Sequence, residues 1–219
     1  MEDAAQKTRA QDELPQSAGG RTITTTEPKF IPQEAVELKL AGEVTIRVRL
    51  VDCVGFMVEG AAGHLEDGAE RLVKTPWYDH EIPFTQAAEL GTRKVITDHS
   101  TIGVVVTTDG SFSDLPQETY LDAENQAISE LKKLHKPFLV LVNPSHPSSR
   151  TAREAAERIE KQHSVAAMPV NCAQLSEEDI RQIMEQILYE FPVSRVEFYM
   201  PKWVEMLPLS HPLKTGLIE

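Results

Sequence analysis

Two residues three positions apart, Asp52 and Gly55, form the first pattern in the sequence that could support chemistry. They directly follow residues in which apolar and polar side chains alternate, a pattern that predicts a β-strand. An aspartate at the end of a strand can hold a water molecule bound to Mg²⁺, and a glycine there lets a backbone N–H approach a γ-phosphate. The pattern is weak by itself, because an aspartate that only caps the next turn looks the same.

A threonine-rich stretch at residues 21–28 precedes this strand and contains Thr25 and Thr26. A threonine in a loop can ligate Mg²⁺ and contact a γ-phosphate, so that the loop becomes ordered only when a triphosphate is bound. These two threonines are candidates for sensing the phosphate, with an ordinary polar turn as the alternative.

Two later apolar runs end in polar loops that could surround the base of a nucleotide. Asn143 opens the first loop, and Asn171, Cys172 and Ala173 form the second. In doubly wound sheets ligands bind at the carboxyl ends of the strands, where these loops fall. The alternative is that both are ordinary connections between a strand and a helix.

The elements that would position these residues are a hairpin followed by alternating strands and helices. Alternation on both sides of Gly42 predicts an antiparallel hairpin over residues 36–50. Apolar runs predict three strands covered on both faces, at residues 102–106, 138–142 and 165–170. A helix is predicted over residues 84–94 and a further strand over residues 196–200. Helical patterns between the three strands favour an α/β fold with a doubly wound, mostly parallel sheet.

The order of these features is that of a Ras-like P-loop NTPase domain. The phosphate-binding motif G-x-x-x-x-G-K-[ST] does not occur in the 219 residues, so this loop and the first strand are expected to lie before residue 1. We divide the chain into a flexible, switch-like segment at residues 1–33, an incomplete NTPase domain at 34–191 and the start of a truncated middle domain at 192–219.

The composition limits the partners. The chain has 22 Lys and Arg against 34 Asp and Glu, a net charge of −12, which does not suit nonspecific nucleic-acid binding. The longest apolar run, residues 138–142, is far too short to span a bilayer, and the polar residues 1–20 do not form a signal peptide. We expect a cytoplasmic protein that binds no nucleic acid, has no transmembrane segment and keeps its cysteines reduced.

Five short stretches of the sequence resemble a known protein family more specifically than the general NTPase motifs do. They are Val51-Asp52-Cys53-Val54-Gly55 and residues 75–78, 91–96, 99–105 and 189–193. Together they resemble the stage IV sporulation protein A family. The resemblance implies an ATPase, related to translation-factor-like GTPases, that polymerises in an ATP-dependent way into the basement layer of the spore coat. It also implies a location on the mother-cell side of the outer forespore membrane. The implied partners are a small amphipathic membrane peptide and other coat-morphogenesis proteins.

The same resemblance implies roles for individual residues. Thr25 and Thr26 match the family's sensor threonines, which couple hydrolysis to assembly. Asp52 matches its Walker B carboxylate and Gly55 its γ-phosphate glycine. Asp52 and Thr25 are then the residues expected to bind Mg²⁺, directly or through a water molecule. The lysine and the hydroxyl residue of the P-loop have no counterpart in the sequence.

At two positions the sequence differs from ordinary GTPases, and both differences agree with the resemblance to an ATPase family. Phe56 follows Gly55 at the position where Ras-like enzymes place the glutamine that orients the attacking water. His146 stands where guanine-specific enzymes have the aspartate of N-K-x-D. We therefore expect ATP rather than GTP as the substrate, and no activity from the chain alone because it lacks the phosphate-binding loop.

Two other classes of protein remain open. A metal-dependent hydrolase could use Asp79, His80 and Glu81, but their spacing does not focus ligands on one point. A catalytically inactive module with an NTPase fold, which contributes only an interaction surface, is the stronger alternative.

Overall fold

The computed structural model describes residues 29–40, 44–61, 64–66, 68–75, 77–112, 115–192, 195, 197, 199 and 201–218. Thr25 and Thr26 lie outside these described residues. A long antiparallel hairpin opens the described fold, in which β1 (Lys29–Lys39) pairs with β2 (Thr45–Asp52). β1 begins at Lys29, seven residues before the predicted start of the hairpin at residue 36. The pairing of β1 with β2 shifts register between Ile31 and Val36. The shift interrupts the period-two alternation and hides the first part of the strand from the sequence pattern.

Two short antiparallel strand pairs follow. β3 (Leu65–Glu66) pairs with β4 (Ala69–Glu70), and β5 (Leu72–Val73) pairs with β6 (Ile82–Pro83). The chain then enters α1 (Phe84–Lys94), which occupies the residues predicted to be helical and is continued by a π-helical turn (Val95–His99).

The far end of α1 is anchored by a lysine. The Lys136 ammonium donates hydrogen bonds to the carbonyl oxygens of Ile96, Thr97 and Ser100, at the end of the π-helical turn. Carbonyl groups at the end of a helix lack partners within it, and a cation there complements the helix dipole. The carboxyl end of α1 is therefore tied to the residues that lead into the central sheet.

A parallel sheet of three strands forms the centre of the fold. It contains β7 (Gly103–Thr107), β8 (Phe138–Val142) and β9 (Ala167–Pro169), in the order β7-β8-β9. All the residues of β8 are buried, which explains why this strand is an unbroken apolar run. Within the described residues the β1-β2 hairpin forms a separate sheet and is not hydrogen-bonded to this one.

Helices lie on both faces of the parallel sheet and cover β8 completely. β7 differs from the expectation of a strand covered on both faces, because its alternate residues Val104 and Val106 are exposed in the described structure. After a 3₁₀ turn (Gln117–Tyr120) come α2 (Leu121–Lys133), α3 (Arg150–His163), a second 3₁₀ turn (Cys172–Gln174) and α4 (Glu177–Tyr189). Val140 of β8 packs in one buried cluster with residues of α2 and α3, namely Ile128, Leu131, Ala155, Ala156 and Ile159. Leu139 and Leu141 pack on the opposite face, in a cluster with Ile183 and Ile187 of α4. Successive residues of one strand thus serve two cores, which confirms the α/β class with helices on both faces.

The segment after α4 differs from the expectation. The sequence pattern predicts a strand over residues 196–200, but the described residues 197 and 199 are not in a strand. Two short helices follow instead, α5 (Lys202–Glu205) and α6 (Pro212–Ile218). A strand requires a neighbour to complete its hydrogen bonds, which the local sequence cannot show. In the described part of the chain, no helix has the length and apolar character needed to cross a bilayer.

Candidate functional site

Asp52 is the last residue of β2, and its side chain is exposed. Within the described residues no hydrogen bond or ion pair occupies its carboxylate oxygens. Carboxylate oxygens are the hard ligands that Mg²⁺ prefers, and an exposed position leaves room for the water molecules that this ion retains. The chemistry of Asp52 therefore fits a Mg²⁺ site, whereas Thr25, the other residue expected to serve the ion, is not among the described residues.

Gly55 lies in the loop that follows β2 and is held against α1 by two hydrogen bonds. Its N–H donates to Thr92 Oγ1 at 3.0 Å, and the Thr92 hydroxyl donates to the Gly55 carbonyl oxygen at 3.1 Å. Gly55 has φ +85°, and a Cβ built on it would meet nothing within 4 Å. The backbone conformation, rather than lack of space, is thus what favours glycine here.

The Cys53 thiol lies close to the same hydrogen-bonded pair. Burial raises the pKa of Cys53, partly offset by hydrogen bonds with the Thr92 hydroxyl and the Gly55 backbone, while the nearby Asp52 carboxylate raises it further. Cys53 is therefore a protonated thiol at neutral pH. A neutral thiol is a poor nucleophile, so this cysteine is suited to packing.

The loops that follow β8 and β9 are joined to each other. Asn143 Oδ1 accepts a hydrogen bond of 2.9 Å from the Cys172 N–H, and Asn171 Nδ2 donates one of 3.1 Å to the Ser145 carbonyl oxygen. Asn171 Oδ1 also accepts from the Ala173 N–H at 3.0 Å. The structure thus brings together the four residues proposed from the sequence to surround a base. Both asparagines use their side chains to connect the loops.

The loop after β7 joins this network through residues that the sequence analysis missed. Asp109 Oδ2 accepts a hydrogen bond of 2.8 Å from the Thr151 hydroxyl on α3, and its Oδ1 accepts one of 3.0 Å from the Ser111 N–H. Ser145 donates through its N–H to Ser111 Oγ at 2.9 Å and through its hydroxyl to the Ser111 carbonyl oxygen at 2.6 Å. A signal was present in the sequence, because Asp109 lies three positions after the end of an apolar run, close to where Asn143 and Asn171 follow theirs.

The charge of Asp109 is stabilised by these contacts. Partial burial opposes the charged form, but the hydrogen bonds from Ser111 and Thr151 outweigh it and lower the pKa of Asp109. The carboxylate is therefore ionised at neutral pH. The carboxyl ends of three parallel strands consequently carry one continuous polar network with a fixed negative charge.

A cleft of about 330 Å³ lies beside the Gly55 loop. Its lining comes from the segment after β2, from the first turn of α1 and from the residues at the start of α2, namely Met57, Val58, Glu59, Gly60, His64, Thr85, Thr119 and Asp122. Its volume is at the lower end of the range for ligand pockets. No group of three or more His, Cys, Asp or Glu side chains in the described residues is arranged to hold a metal, and this includes the Asp79, His80 and Glu81 set.

A three-stranded parallel sheet with helices on both faces and polar loops at the carboxyl ends of its strands makes this an α/β domain, consistent with the P-loop NTPase-like class. Comparison with known proteins then gives the family. Residues 1–192 match the family described as stage IV sporulation protein A, ATPase domain, and the chain belongs to this family.

Individual relatives agree with the family match. The chain is 45% identical over 218 residues to stage IV sporulation protein A of Clostridioides difficile (strain 630). It is 43% identical over 222 residues to the protein of the same name in Bacillus anthracis, and 42% identical over 222 residues to that in Bacillus subtilis (strain 168). Each alignment covers the whole of this chain and 44% of the relative, so the chain spans less than half of the length of these proteins.

Proposed function

We propose that the chain is part of an ATP-hydrolysing protein that assembles the spore coat during sporulation. The match of residues 1–192 to the ATPase domain of stage IV sporulation protein A is the observation that carries the proposal. The protein polymerises into the basement layer of the coat, in the mother-cell cytoplasm at the surface of the outer forespore membrane. A small amphipathic membrane peptide and other coat-morphogenesis proteins are its proposed partners.

The proposed ligands are ATP and Mg²⁺. Asp52 holds the ion, directly or through a water molecule, with Thr25 as a second ligand. Mg²⁺ bound in this way supplies positive charge that stabilises the phosphates during hydrolysis. Gly55 offers its N–H to the γ-phosphate, and Thr25 and Thr26 respond to that phosphate. The exposed position of Asp52 at the end of β2 supports this assignment.

The joined loops after β8 and β9 form the proposed base site. Asn143 and Asn171, with Cys172 and Ala173, shape it by fixing the two loops against each other. The 143–146 loop ends in His146 and contains no carboxylate to accept hydrogen bonds from guanine. A site without that acceptor has no reason to select guanine over adenine, which supports ATP as the nucleotide.

The exposed face of β7 supports a further part of the proposal. Within the described residues β7 pairs only with β8, and Val104 and Val106 are 42% and 57% exposed. Strands of parallel sheets are normally covered on both faces. We propose that a strand carrying the phosphate-binding loop, and the helix after it, pack against β7. The absence of a G-x-x-x-x-G-K-[ST] motif from the 219 residues, and the 44% share of the curated relatives that the chain covers, support the proposal that these elements belong to a longer protein.

A catalytically inactive assembly module is the second candidate. Large apolar side chains near the end of the chain are exposed, among them Trp203 (61%), Met206 (85%) and Leu209 (74%). Exposed apolar groups close together in the sequence suit contact with another protein surface. In this alternative the domain would contribute surface to the coat without turning over ATP.

Phosphate release and sedimentation distinguish the two candidates. Both are measured with ATP and Mg²⁺ on the protein as its gene encodes it, with any residues that precede or follow the 219. The 219-residue chain alone is measured in parallel. We expect the gene-encoded protein to hydrolyse ATP and to sediment as a polymer, and the chain alone to do neither. Polymer formation without ATP, with phosphate release no faster than in buffer, would support the inactive module.

A further inference from the structure

We propose that Thr92 is a positioning residue that restrains Gly55 until a nucleoside triphosphate binds. The inference rests on the proposed function, in which the Gly55 N–H contacts the γ-phosphate. In this structure the Gly55 N–H, which the γ-phosphate would need as a donor, already donates to the Thr92 hydroxyl oxygen. The Thr92 hydroxyl in turn donates to the Gly55 carbonyl oxygen. Binding of the triphosphate therefore breaks the contact between Gly55 and α1.

Thr92 is well placed to act as a fixed restraint. It is 3% exposed and lies on the buried face of α1 with Ala87 and Ala88, both of which are 0% exposed. The helix is held at its far end by Lys136. A buried side chain on an anchored helix has little freedom to follow a moving partner. When the contact breaks, the Gly55 loop moves and the helix stays in place.

The competition depends on a single proton. One backbone N–H makes only one full-strength hydrogen bond, so it cannot serve the Thr92 oxygen and a phosphate oxygen equally well. A diphosphate has no γ-phosphate and leaves the contact between Gly55 and Thr92 intact. The contact thus lowers the affinity for ATP and leaves the affinity for ADP unchanged, because only ATP has to break it.

The affinities of Thr92 variants for ATP and ADP distinguish a residue that restrains Gly55 from one that only stabilises the fold. Thr92→Val preserves the shape of the side chain and removes both hydrogen bonds, whereas Thr92→Ser retains the hydroxyl. Thr85→Val is the matched control, because Thr85 lies on the same helix and hydrogen-bonds to Glu70 instead. Affinities for ATP and ADP are measured by calorimetry in Mg²⁺, on the protein as its gene encodes it.

We expect Thr92→Val to bind ATP about fivefold more tightly than the unaltered protein, which corresponds to one hydrogen bond of ordinary net strength. ADP affinity should not change, and Thr92→Ser and Thr85→Val should keep the original ratio of the two affinities. An unchanged ratio in Thr92→Val, or an equal shift for both nucleotides, would overturn the inference and leave the proposed function standing. Failure of the unaltered protein to bind ATP would overturn the proposed function, and this inference with it.

Alkylation of Cys53 gives an independent measurement of the same contact. The Cys53 thiol lies against Thr92 and Gly55, so release of the loop should expose it. With iodoacetamide and peptide mass spectrometry, a non-hydrolysable ATP analogue should accelerate modification of Cys53 several-fold, and ADP should not. Equal rates with the two nucleotides would contradict release of the loop.

Discussion

Arg158 on α3 holds the buried carboxylate of Glu124 on α2 with two parallel hydrogen bonds. Nη1 lies 2.8 Å from Oε1 and Nη2 lies 3.0 Å from Oε2, and the Glu124 side chain is only 1% exposed. The hydroxyl of Thr107, at the end of β7, donates a third hydrogen bond of 2.8 Å to Oε2. One carboxylate thus connects two helices to the strand that leads into the Asp109 loop.

Removal of this carboxylate should destabilise the fold. Glu124→Ala leaves the guanidinium and the Thr107 hydroxyl without their partner, and Arg158 is exposed enough to recover part of its hydration. We expect the free energy of unfolding to fall by about 2–3 kcal/mol in urea titrations. Glu154→Ala, which removes an exposed ion pair with Arg150, is the control and should change it by less than about 0.5 kcal/mol. Equal losses in the two variants would contradict a structural role for the buried pair.

Asp52→Ala should reduce ATP hydrolysis by at least about tenfold, a rise of roughly 1.4 kcal/mol in the barrier, because the ion loses its carboxylate ligand. The fold should persist, since the side chain is exposed at the end of β2. Phosphate release at saturating Mg²⁺ measures the effect in the gene-encoded protein. Asp98→Ala, at an exposed position in the π-helical turn, serves as the control. Unchanged turnover in Asp52→Ala would refute the assignment.

The double substitution Thr25→Ala with Thr26→Ala should preserve ATP binding and abolish hydrolysis and assembly together. A residue that senses the γ-phosphate acts in the hydrolysis-competent state and contributes little to initial binding. Binding is measured by calorimetry, and assembly by sedimentation. Filaments formed at the normal rate by the double variant would mean that these threonines belong to an ordinary polar loop.

ATP should be preferred over GTP. The position of His146 at the end of the 143–146 loop leaves guanine without a carboxylate to accept its N–H groups. Loss of such paired hydrogen bonds removes a discrimination of a few kcal/mol in favour of guanine. Competition with a labelled ATP provides the measurement. Displacement by GTP ten times more effective than by ATP would show that another group recognises guanine.

The loop after β7 should keep its structure down to acidic pH. The pKa of Asp109 is lowered in the folded protein, so its contribution to stability is present above the unfolded value of 3.8 and is lost as pH falls through the lower, folded value. The amide signal of Ser111 in nuclear magnetic resonance should therefore show a transition whose midpoint lies below 3.8. Asp109→Asn should remove this transition. A transition centred above the unfolded value would contradict the proposed hydrogen bonding.

Local patterns in the sequence determined the elements that depend on near neighbours. The helix predicted over residues 84–94 and the strand over residues 138–142 have the predicted bounds, because one apolar face or one unbroken apolar run is enough to specify each. The same patterns predicted polar loops at the carboxyl ends of the strands, and the family resemblance rested on separate strings at residues 51–55, 75–78, 91–96, 99–105 and 189–193. The roles of those residues in ATP chemistry stay predictions.

Tertiary structure decided which distant residues meet. Gly55 and Thr92 are 37 positions apart, and Asp109 and Thr151 are 42 positions apart. Such pairs leave no periodic signal, because the energy of each contact depends on how whole strands and helices are placed against one another. The same reason explains residues 196–200, where a β-type pattern was present but residues 197 and 199 are not in a strand. Periodicity specifies which face of an element is buried, and only the assembled fold determines what that face contacts.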